Sequence, residues 1–359
     1  MQRVAMELDA SFDRLDLAAS YDTIVLKTSW KLVHILTVPF LIYTYFRLRL
    51  LIKRREVDVI LFSSMVTASL AVLLKRALRA NRVKAAAIVH GQDVTKPVRV
   101  YQLFLPKVFK ALDLVMPVSA ATGEACQKRG LPIEKLHVVH NGVKLDRFSP
   151  CEFPAGARES HPFRASLPAG SLLLASVGRQ VRRKGFAWFI EHVMPQLPDH
   201  VHYWLGGDGE EGDAILQAIA AHDLGDRVRL LGRLGEGDLT RLYQSADLFL
   251  MPNIPVPGDM EGFGIVMLEA AMNGLPSIAA RLEGIKEVIS EGKNGCFIES
   301  RDHSGFVERI THFDSNRNEL ASLSQASTQY VAATFGWDAV ATNYYSALKR
   351  LFNARVFPV

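Results

Sequence analysis

The sequence has few of the residues that build metal centres or disulfide frameworks. Only three of its 359 residues are cysteine, and none forms a C-x2-C pair of the kind found in zinc ribbons and dithiol redox motifs. No cluster of His and Cys has ligand spacing, and no D-x-D pair is placed to hold a metal ion. We therefore expect no metal cofactor and no disulfide-stapled fold, and we expect a cytoplasmic protein.

Targeting segments and long apolar runs are also scarce. The first 20 residues hold no long apolar core, so no secretory signal is expected. The most apolar stretch, residues 32–46, is short for a membrane span and contains His34 and Pro39. We favour a buried crossover helix for it. The alternative is peripheral contact with an anionic membrane through the basic residues that follow, Arg47, Arg49, Lys53, Arg54 and Arg55.

The chain is rich in apolar residues, and basic residues are concentrated in its first half. Hydrophobic residues make up 49% and charged residues 22% of the sequence, which favours two folded domains over disorder. Residues 1–160 hold 24 Lys and Arg against 14 Asp and Glu, and the remainder holds 18 against 23. This asymmetry indicates an anionic surface or substrate, or simply a solvated basic face. Since no single recognition helix gathers the cations, nucleic acid is not an expected partner.

Short β-branched segments alternate with longer helical patterns, which predicts parallel sheets covered by helices. Residues 150–170, rich in proline and mixed charge, interrupt the alternation and are typical of a linker. We therefore predict an α/β protein with two Rossmann-like halves and an amphipathic helix over residues 335–352. The predicted strands are 23–26, 57–62, 85–90, 136–140, 172–178, 201–207, 228–232, 248–252 and 276–280.

One stretch of the second half combines charge, glycine and a helical run. Glu261 and Glu269 bracket the apolar sequence from Gly262 to Leu268, which begins with two glycines one residue apart. Glycines before a helix expose backbone N–H groups, and the N-terminus of a helix favours anions. If the run is helical, the second glutamate lies about two turns beyond the first. A sugar, a phosphate and a ribose would then all find partners along one edge.

This arrangement closely resembles the E-x7-E signature of the retaining glycosyltransferases of family 4. Other segments resemble that family's pattern in the same order, and together they cover roughly residues 55–352. The resemblance implies a GT-B fold, in which two Rossmann-like domains enclose a cleft: an N-terminal domain over 1–155, a C-terminal one over 165–335, and a closing helix, 336–352, that packs back on the first. The matching segments are VHGQDV (89–94), VVHNGVKLDRFSP (138–150), GRQVRRKG (178–185), LGRL (231–234) and LTRLYQSADLFLMPN (239–253).

The resemblance also implies four residues that act on the reacting groups. Arg179 and Lys184 would stabilise the negative charge of the leaving diphosphate, taking the part of a metal ion. Glu261 would hydrogen-bond hydroxyls of the donor sugar, and His90 would touch the same sugar. Taken alone, the two cations would more often be solvated loop residues, and His90 could be a capped strand end. We expect the neighbouring cations, Arg182 and Arg183, to point elsewhere, with assistance by either one as the alternative.

Further residues are implied in holding the donor nucleotide. Glu269 would accept hydrogen bonds from ribose hydroxyls, and its apolar surroundings make a mere surface position hard to reconcile with a charge. Arg233 would flank the base. Backbone N–H groups would come from the segment formed by Gly262, Phe263, Gly264 and Ile265.

The expected activity is therefore transfer of a hexose from a nucleotide-diphosphate sugar, without a metal, to a glycan or lipid-linked acceptor. Stereochemistry would be retained, as in the family. The basic first half favours a cytoplasmic protein that contacts the inner face of the membrane. Two alternatives stay open: a GT-B epimerase or phosphorylase, and a truncated, non-catalytic protein that only binds nucleotide.

The beginning of the chain departs from the family pattern. Residues 1–12 predict a helix, whereas the family begins with a strand and a glycine-rich loop. We therefore expect Met1 to be an internal methionine of a longer protein. An in-frame stop codon immediately upstream, with no glycine-rich coding sequence before Met1, would refute this expectation.

Overall fold

The computed structural model describes residues 2–17, 20–26, 30–145, 158 and 161–356. The chain forms two compact units. The first comprises residues 1–142 and 337–359, and the second comprises residues 143–336. Residues 150–157, 159 and 160 of the predicted linker, 150–170, lie outside the described residues.

The first unit is built on a parallel sheet of three strands in the order β1-β2-β3. These strands are β1 (Val59–Phe62), β2 (Lys84–Val89) and β3 (Leu114–Pro117). All of β2 after Lys84 is buried, and three of those residues are alanines, which lets helices approach the sheet closely. The central strand is therefore covered, as the unbroken apolar pattern of the sequence predicts.

Eight helices of the first unit surround this sheet in the described residues. In chain order they are α1 (Gln2–Leu15), α2 (Trp30–Arg54), α3 (Met65–Ala68), α4 (Leu70–Ala80), α5 (Gln92–Thr95), α6 (Arg99–Ala111), α7 (Ala120–Gln127) and α14 (Trp337–Val356). Crossovers between parallel strands are right-handed, so α4 and α6 lie on the same face of the sheet. Helix α4 contacts α2 on one side and α6 on the other.

The last helix, α14, packs on α1 within the first unit. Tyr344 is fully buried, and the rings of Phe12 and Tyr345 lie 6.4 Å apart, edge to face. A side chain on Gly142 would lie within 2.6 Å of the Trp337 ring. The indole therefore requires glycine at the point where the chain leaves the first unit.

The second unit contains a six-stranded parallel sheet with the order β6-β5-β4-β7-β8-β9. From β4 the chain builds outward through β5 and β6, then returns to the other side of β4 for β7. The β4/β7 boundary is thus the topological switch point, where sheets of this kind bind ligands. The strands are β4 (Leu172–Val177), β5 (Val201–Gly206), β6 (Val228–Gly232), β7 (Leu248–Met251), β8 (Ser277–Ala280) and β9 (Gly295–Ile298).

Helices pack on this sheet around a continuous apolar core that includes Phe189, Tyr203 and Phe306. Their short apolar stripes and the buried strands β5, β7 and β8 agree with the pattern of helices on both faces predicted from the sequence. The helices are α8 (Phe186–His192), α9 (Gly212–Ala221), α10 (Glu236–Ser245), α11 (Ile265–Met272), α12 (His303–Ser315) and α13 (Arg317–Phe335).

Three sequence-based predictions of local structure were wrong. Residues 23–26 and 136–140 form no strand; the second segment makes a single bridge to β3, from Leu136 to Val115. Strands β3 and β9 were not predicted. Helix α2 was expected to be buried, but Ile35, Val38 and other large apolar residues along it are exposed.

Candidate functional site

The turns that follow β4 and β7 meet at the switch point of the second sheet. The Ile254 N–H donates to the Arg183 carbonyl at 3.0 Å, and Gly185 has a positive φ of 67°. A Cβ on Gly185 would lie 2.0 Å from the Pro252 carbonyl oxygen, so only glycine permits this approach. The predicted phosphate-binding segment and the beginning of the glutamate segment are thereby fixed side by side.

Two cations and one amide converge on a single carboxylate oxygen at this point. The Lys184 ammonium lies 2.6 Å and the Arg183 guanidinium 3.0 Å from Oε2 of Glu261. The side-chain amide of Asn253 donates to the same oxygen at 3.3 Å. All four residues are buried. Oε1 takes no part in these contacts, so the carboxylate is fixed by one oxygen while the other can accept hydrogen bonds from a ligand.

The charges of this cluster shift one another's pKa values. Burial raises the pKa of Glu261, but Lys184 and Arg183 outweigh it and hold that pKa below its ordinary value. Burial, with Arg183 and Arg179 nearby, lowers the pKa of Lys184 despite its carboxylate partner. Arg183 also pairs with Asp259, so the buried cluster is close to charge balance, and the nearby Arg179 adds a cation that favours binding of an anion.

Arg183 was expected to point elsewhere, and that prediction was wrong. Its side chain is only 7% exposed, and it contacts both Glu261 and Asp259, the latter at 3.0 Å. Arg182 is exposed, as expected. Arg182–Lys184 form a short 3-10 turn, in which consecutive side chains point in different directions. Residue type alone therefore could not predict which of these three cations are buried.

Arg179 lies in the same turn, directly after β4 and Gly178, and is exposed. Lys184 lies against the backbone of that turn: a Cβ on Gly178 would be 3.3 Å from its Cε. The two predicted phosphate-binding cations therefore belong to one turn, with one at the surface and one buried beneath it.

The segment from Gly262 to Ile265 leads into α11 through Gly264, which has a φ of 88°. Phe263 is only 2% exposed, and its ring packs edge to face on Phe335 at 5.9 Å. Its side chain belongs to the core, so any ligand contact at this position would come from its backbone. Residue Gly262 in turn supports Gly284, where a Cβ would lie 2.1 Å from the Gly262 carbonyl oxygen.

Glu269 lies on α11 and is 4% exposed. The Tyr243 hydroxyl, from α10, donates to its Oε2 at 3.4 Å. The prediction that this carboxylate is no mere surface residue is therefore correct. Tyr243 was not among the predicted residues, because its sequence context indicates only a core position.

A second carboxylate supports the backbone of Glu261. The side chain of Glu283 accepts the Glu261 N–H, and Gly284 N–H donates to the Glu261 carbonyl at 3.2 Å. Burial raises the pKa of Glu283, and the nearby Glu261 raises it further. Glu283 was missed because nothing in the sequence links its 3-10 turn to the glutamate segment.

Arg233 follows β6 and forms an exposed ion pair with Asp208, which follows β5, at 2.6 Å. The turn after β5 packs tightly against the turn after β4, because a Cβ on Gly207 would lie 2.0 Å from the Gly178 carbonyl oxygen. The ends of β4, β5 and β6 therefore form one edge, and Asp208 is a further polar residue there.

His90 is described with the first unit, where it follows β2. Its Nε2 donates to the Ser63 carbonyl at 3.0 Å, which assigns the proton to Nε2. Burial lowers the pKa of His90 to about 3, so the imidazole is neutral at pH 7. Asp93 lies nearby on α5, and burial raises the pKa of its carboxyl group.

In the described part of the chain, no group of three or more His, Cys, Asp or Glu is arranged to hold a metal ion.

Two family models match the sequence, one in each half. Residues 7–147 match Glycosyltransferase Family 4, and residues 171–316 match Glycosyl transferases group 1.

Relatives and solved structures agree with these matches. The candidate colanic acid biosynthesis glycosyltransferase WcaL of Escherichia coli K12 is 28% identical to this chain. The match covers 77% of this chain and 66% of the length of WcaL. A GDP-mannose-dependent phosphatidylinositol monomannoside mannosyltransferase of Mycobacterium tuberculosis is 27% identical, and the match covers 84% of this chain and 78% of the length of that enzyme. In fold, the chain resembles Anabaena HepE in complex with UDP, with a TM-score of 0.71 and 21% identity over 87% of this chain and 82% of that one.

The two matched models, the parallel sheets of both units and the order of motifs in the sequence are consistent with one another. The chain therefore belongs to the GT-B glycosyltransferases of the family 4 type.

Proposed function

We propose that this chain transfers a hexose from a nucleotide-diphosphate sugar to a hydroxyl of a glycan or lipid-linked acceptor, with retention of configuration. The observation that supports this best is the cluster of Lys184, Arg183 and Glu261 at the β4/β7 switch point. It joins fixed positive charge, suited to a diphosphate, to a carboxylate with one oxygen directed away from its partners. The relatives named for mannose transfer and colanic acid synthesis support the same class of reaction.

The donor diphosphate would lie against the turn after β4. Arg179 would contact it from the surface and Lys184 from below. Lys184 can turn from Glu261 toward a phosphate because Arg183 and Asn253 stay on Oε2 and keep the carboxylate paired. A buried carboxylate that lost its only counterion would be costly, and this arrangement avoids that cost.

The sugar and nucleoside would occupy the neighbouring positions. Oε1 of Glu261 would accept a sugar hydroxyl, and the N–H groups of residues 262–265 would face the donor at the start of α11. Glu269 would hold the ribose, with Tyr243 orienting its carboxylate. Arg233 would flank the base. His90 would contact the donor sugar, as the resemblance to the family implies.

The reaction would break the bond between the anomeric carbon and the diphosphate oxygen and form a bond from that carbon to the acceptor oxygen. The electron pair of the broken bond stays on the diphosphate, and the acceptor proton passes to a phosphate oxygen on the same face. The cations stabilise the developing charge, which is the largest contribution a closed site can make. No metal is required, and we expect transfer to continue in excess EDTA.

The test is donor binding followed by transfer. Calorimetry with UDP- and GDP-sugars should show binding to one of these two classes. An extract that contains the acceptor should then take up labelled sugar from that donor. Failure to bind any nucleotide-sugar would contradict the proposal. Binding without transfer or hydrolysis, in this chain and in an upstream-extended form, would favour the non-catalytic alternative. We place the acceptor in the cytoplasm, beside the inner face of the membrane, because residues 47–55 are basic.

A further inference from the structure

Helix α2 presents an apolar stripe to the outside of the first unit. Its buried side is marked by Thr44, Leu48 and Ile52, which are spaced four residues apart. On a helix of a soluble protein the opposite side is normally polar. Here it is formed by large apolar residues, each 39% exposed or more: Ile35, Val38, Ile42, Tyr43, Phe46 and Leu50.

The stripe ends in basic residues on the same side. Arg49 and Lys53 are exposed and follow Phe46 at helical spacing. The exposed apolar part, from Ile35 to Phe46, spans about 17 Å along the helix axis, roughly half the thickness of a bilayer core. An apolar face that ends in cations is typical of a helix lying in the interface of an anionic membrane.

The neighbouring helices α4 and α6 also expose apolar residues. Leu73 on α4 is 67% exposed, and Leu103 on α6 is 77% exposed. Cations accompany them, among them Arg76 and Lys107, both exposed. Together α2, α4 and α6 contain eleven Lys and Arg and no Asp or Glu. We call these three adjacent helices the basic layer.

The composition of the basic layer argues against other occupants. A second copy of the chain would bring an identical cationic face against this one, and like charges repel when they are desolvated. A duplex nucleic acid would use the cations and leave the apolar stripe of α2 in water. Helix α2 is long and apolar enough to cross a membrane, but its contact with α4 and its buried side hold it within the first unit.

We propose that the basic layer docks on a bilayer rich in anionic phospholipid, with α2 lying in the interface and α4 and α6 meeting headgroups. Ile42 and Phe46 enter the acyl boundary, and Arg49 and Lys53 pair with phosphates. This docking is independent of the proposed transfer reaction, because it involves no donor and can be measured without one.

The experiment is cosedimentation of the full chain with vesicles of phosphatidylcholine alone or with phosphatidylglycerol added. We expect binding only to the anionic vesicles, weakened by high salt. Phe46→Glu should lower the partition at least about tenfold, and Lys53→Gln about fivefold. Matched controls are Leu216→Glu, at a residue 54% exposed in the second unit, and Lys286→Gln, at an exposed lysine there; both should bind as wild type does.

Several results would overturn the proposal. One is absence of binding, or equal binding to neutral vesicles. Another is an equal effect of Phe46→Glu and Leu216→Glu. Self-association that Phe46→Glu abolishes, without vesicle binding, would assign the surface to a second copy. Duplex DNA binding as tight as vesicle binding and insensitive to Phe46→Glu would assign it to nucleic acid. Circular dichroism of each variant excludes unfolding as the cause.

Discussion

The Lys184 ammonium lies 2.6 Å from the Glu261 carboxylate, although the two residues follow different strands of the second sheet. The contact joins two motifs of the sequence, the GR-x4-KG segment and the first glutamate of E-x7-E. Strands β4 and β7 are neighbours at the switch point, so the topology of the sheet creates the contact. A carboxylate is thereby held beside the cation that is proposed to receive the donor diphosphate.

Lys184→Ala should lower the transfer rate by about 10²–10³-fold, because a fixed cation in a dry site is worth that much to developing charge. Arg183 and Asn253 would remain on Glu261, so the melting temperature should change little. Arg182→Ala is the matched control, since this neighbouring cation is exposed. Steady-state kinetics check both, and wild-type turnover of Lys184→Ala would remove it from the proposed chemistry.

Arg183→Gln tests whether Arg183 positions Glu261. Removing this cation should raise the pKa of Glu261, which Lys184 and Arg183 now hold below its ordinary value. The acidic limb of the pH profile of donor binding should therefore move to higher pH. Arg183→Lys should restore part of the shift, because one ammonium cannot grip two carboxylates as a guanidinium does. An acidic limb unchanged in Arg183→Gln would leave Arg183 with a packing role only.

The sequence predicted the second unit well because its motifs and its strands coincide. Each predicted strand from 172–178 to 276–280 corresponds to one of β4–β8. The buried position of Glu269 follows from the apolar neighbours that surround it in the sequence. Such local consistency is what a sequence can reveal.

The sequence could not supply contacts that depend on the tertiary meeting of distant turns. Arg183 and Arg182 are identical in type and adjacent, and only the turn geometry buries one of them. Glu283 reaches Glu261 because a 3-10 turn passes Gly262. Exposure of α2 was also unpredictable, because an apolar stripe facing outward has the same periodicity as one facing inward.

Glu261→Gln should destabilise the second unit by about 3 kcal/mol at pH 7, because it takes the carboxylate from buried Lys184 and leaves Arg183 with Asp259 alone. The folded-state pKa of Glu261 lies below its ordinary value. Its stabilisation is therefore present above the unfolded pKa, about 4.3, and is lost as the pH falls through the folded pKa. Urea unfolding at pH 7 and in acid should show the difference from wild type shrink. A constant difference would mean that Glu261 is not the titrating partner.

Gly185→Ala should destabilise the second unit by more than about 2 kcal/mol, because it strains the backbone and overpacks the turn. The added methyl would meet the Pro252 carbonyl oxygen. Gly170→Ala is the control: its φ of 77° is equally positive, but no atom lies within 4 Å of an added Cβ. That variant should lose only about 1 kcal/mol. Equal losses in thermal unfolding would show that the turns after β4 and β7 do not need this close approach.

Glu269→Ala separates a ribose-binding role from a structural one. The Tyr243 hydroxyl donates to Glu269 at 3.4 Å, so the carboxylate already has a partner inside the protein. If it also holds the ribose, Glu269→Ala should weaken binding of a nucleoside diphosphate by at least about tenfold, the loss expected when a charged hydrogen bond is removed. Tyr243→Phe removes the internal bond and leaves the carboxylate, so it should weaken binding much less. Calorimetry with the diphosphate that the wild type binds provides the comparison. If both variants lost affinity equally, or if both lost only stability, Glu269 would be a partner of Tyr243 and not of the ligand.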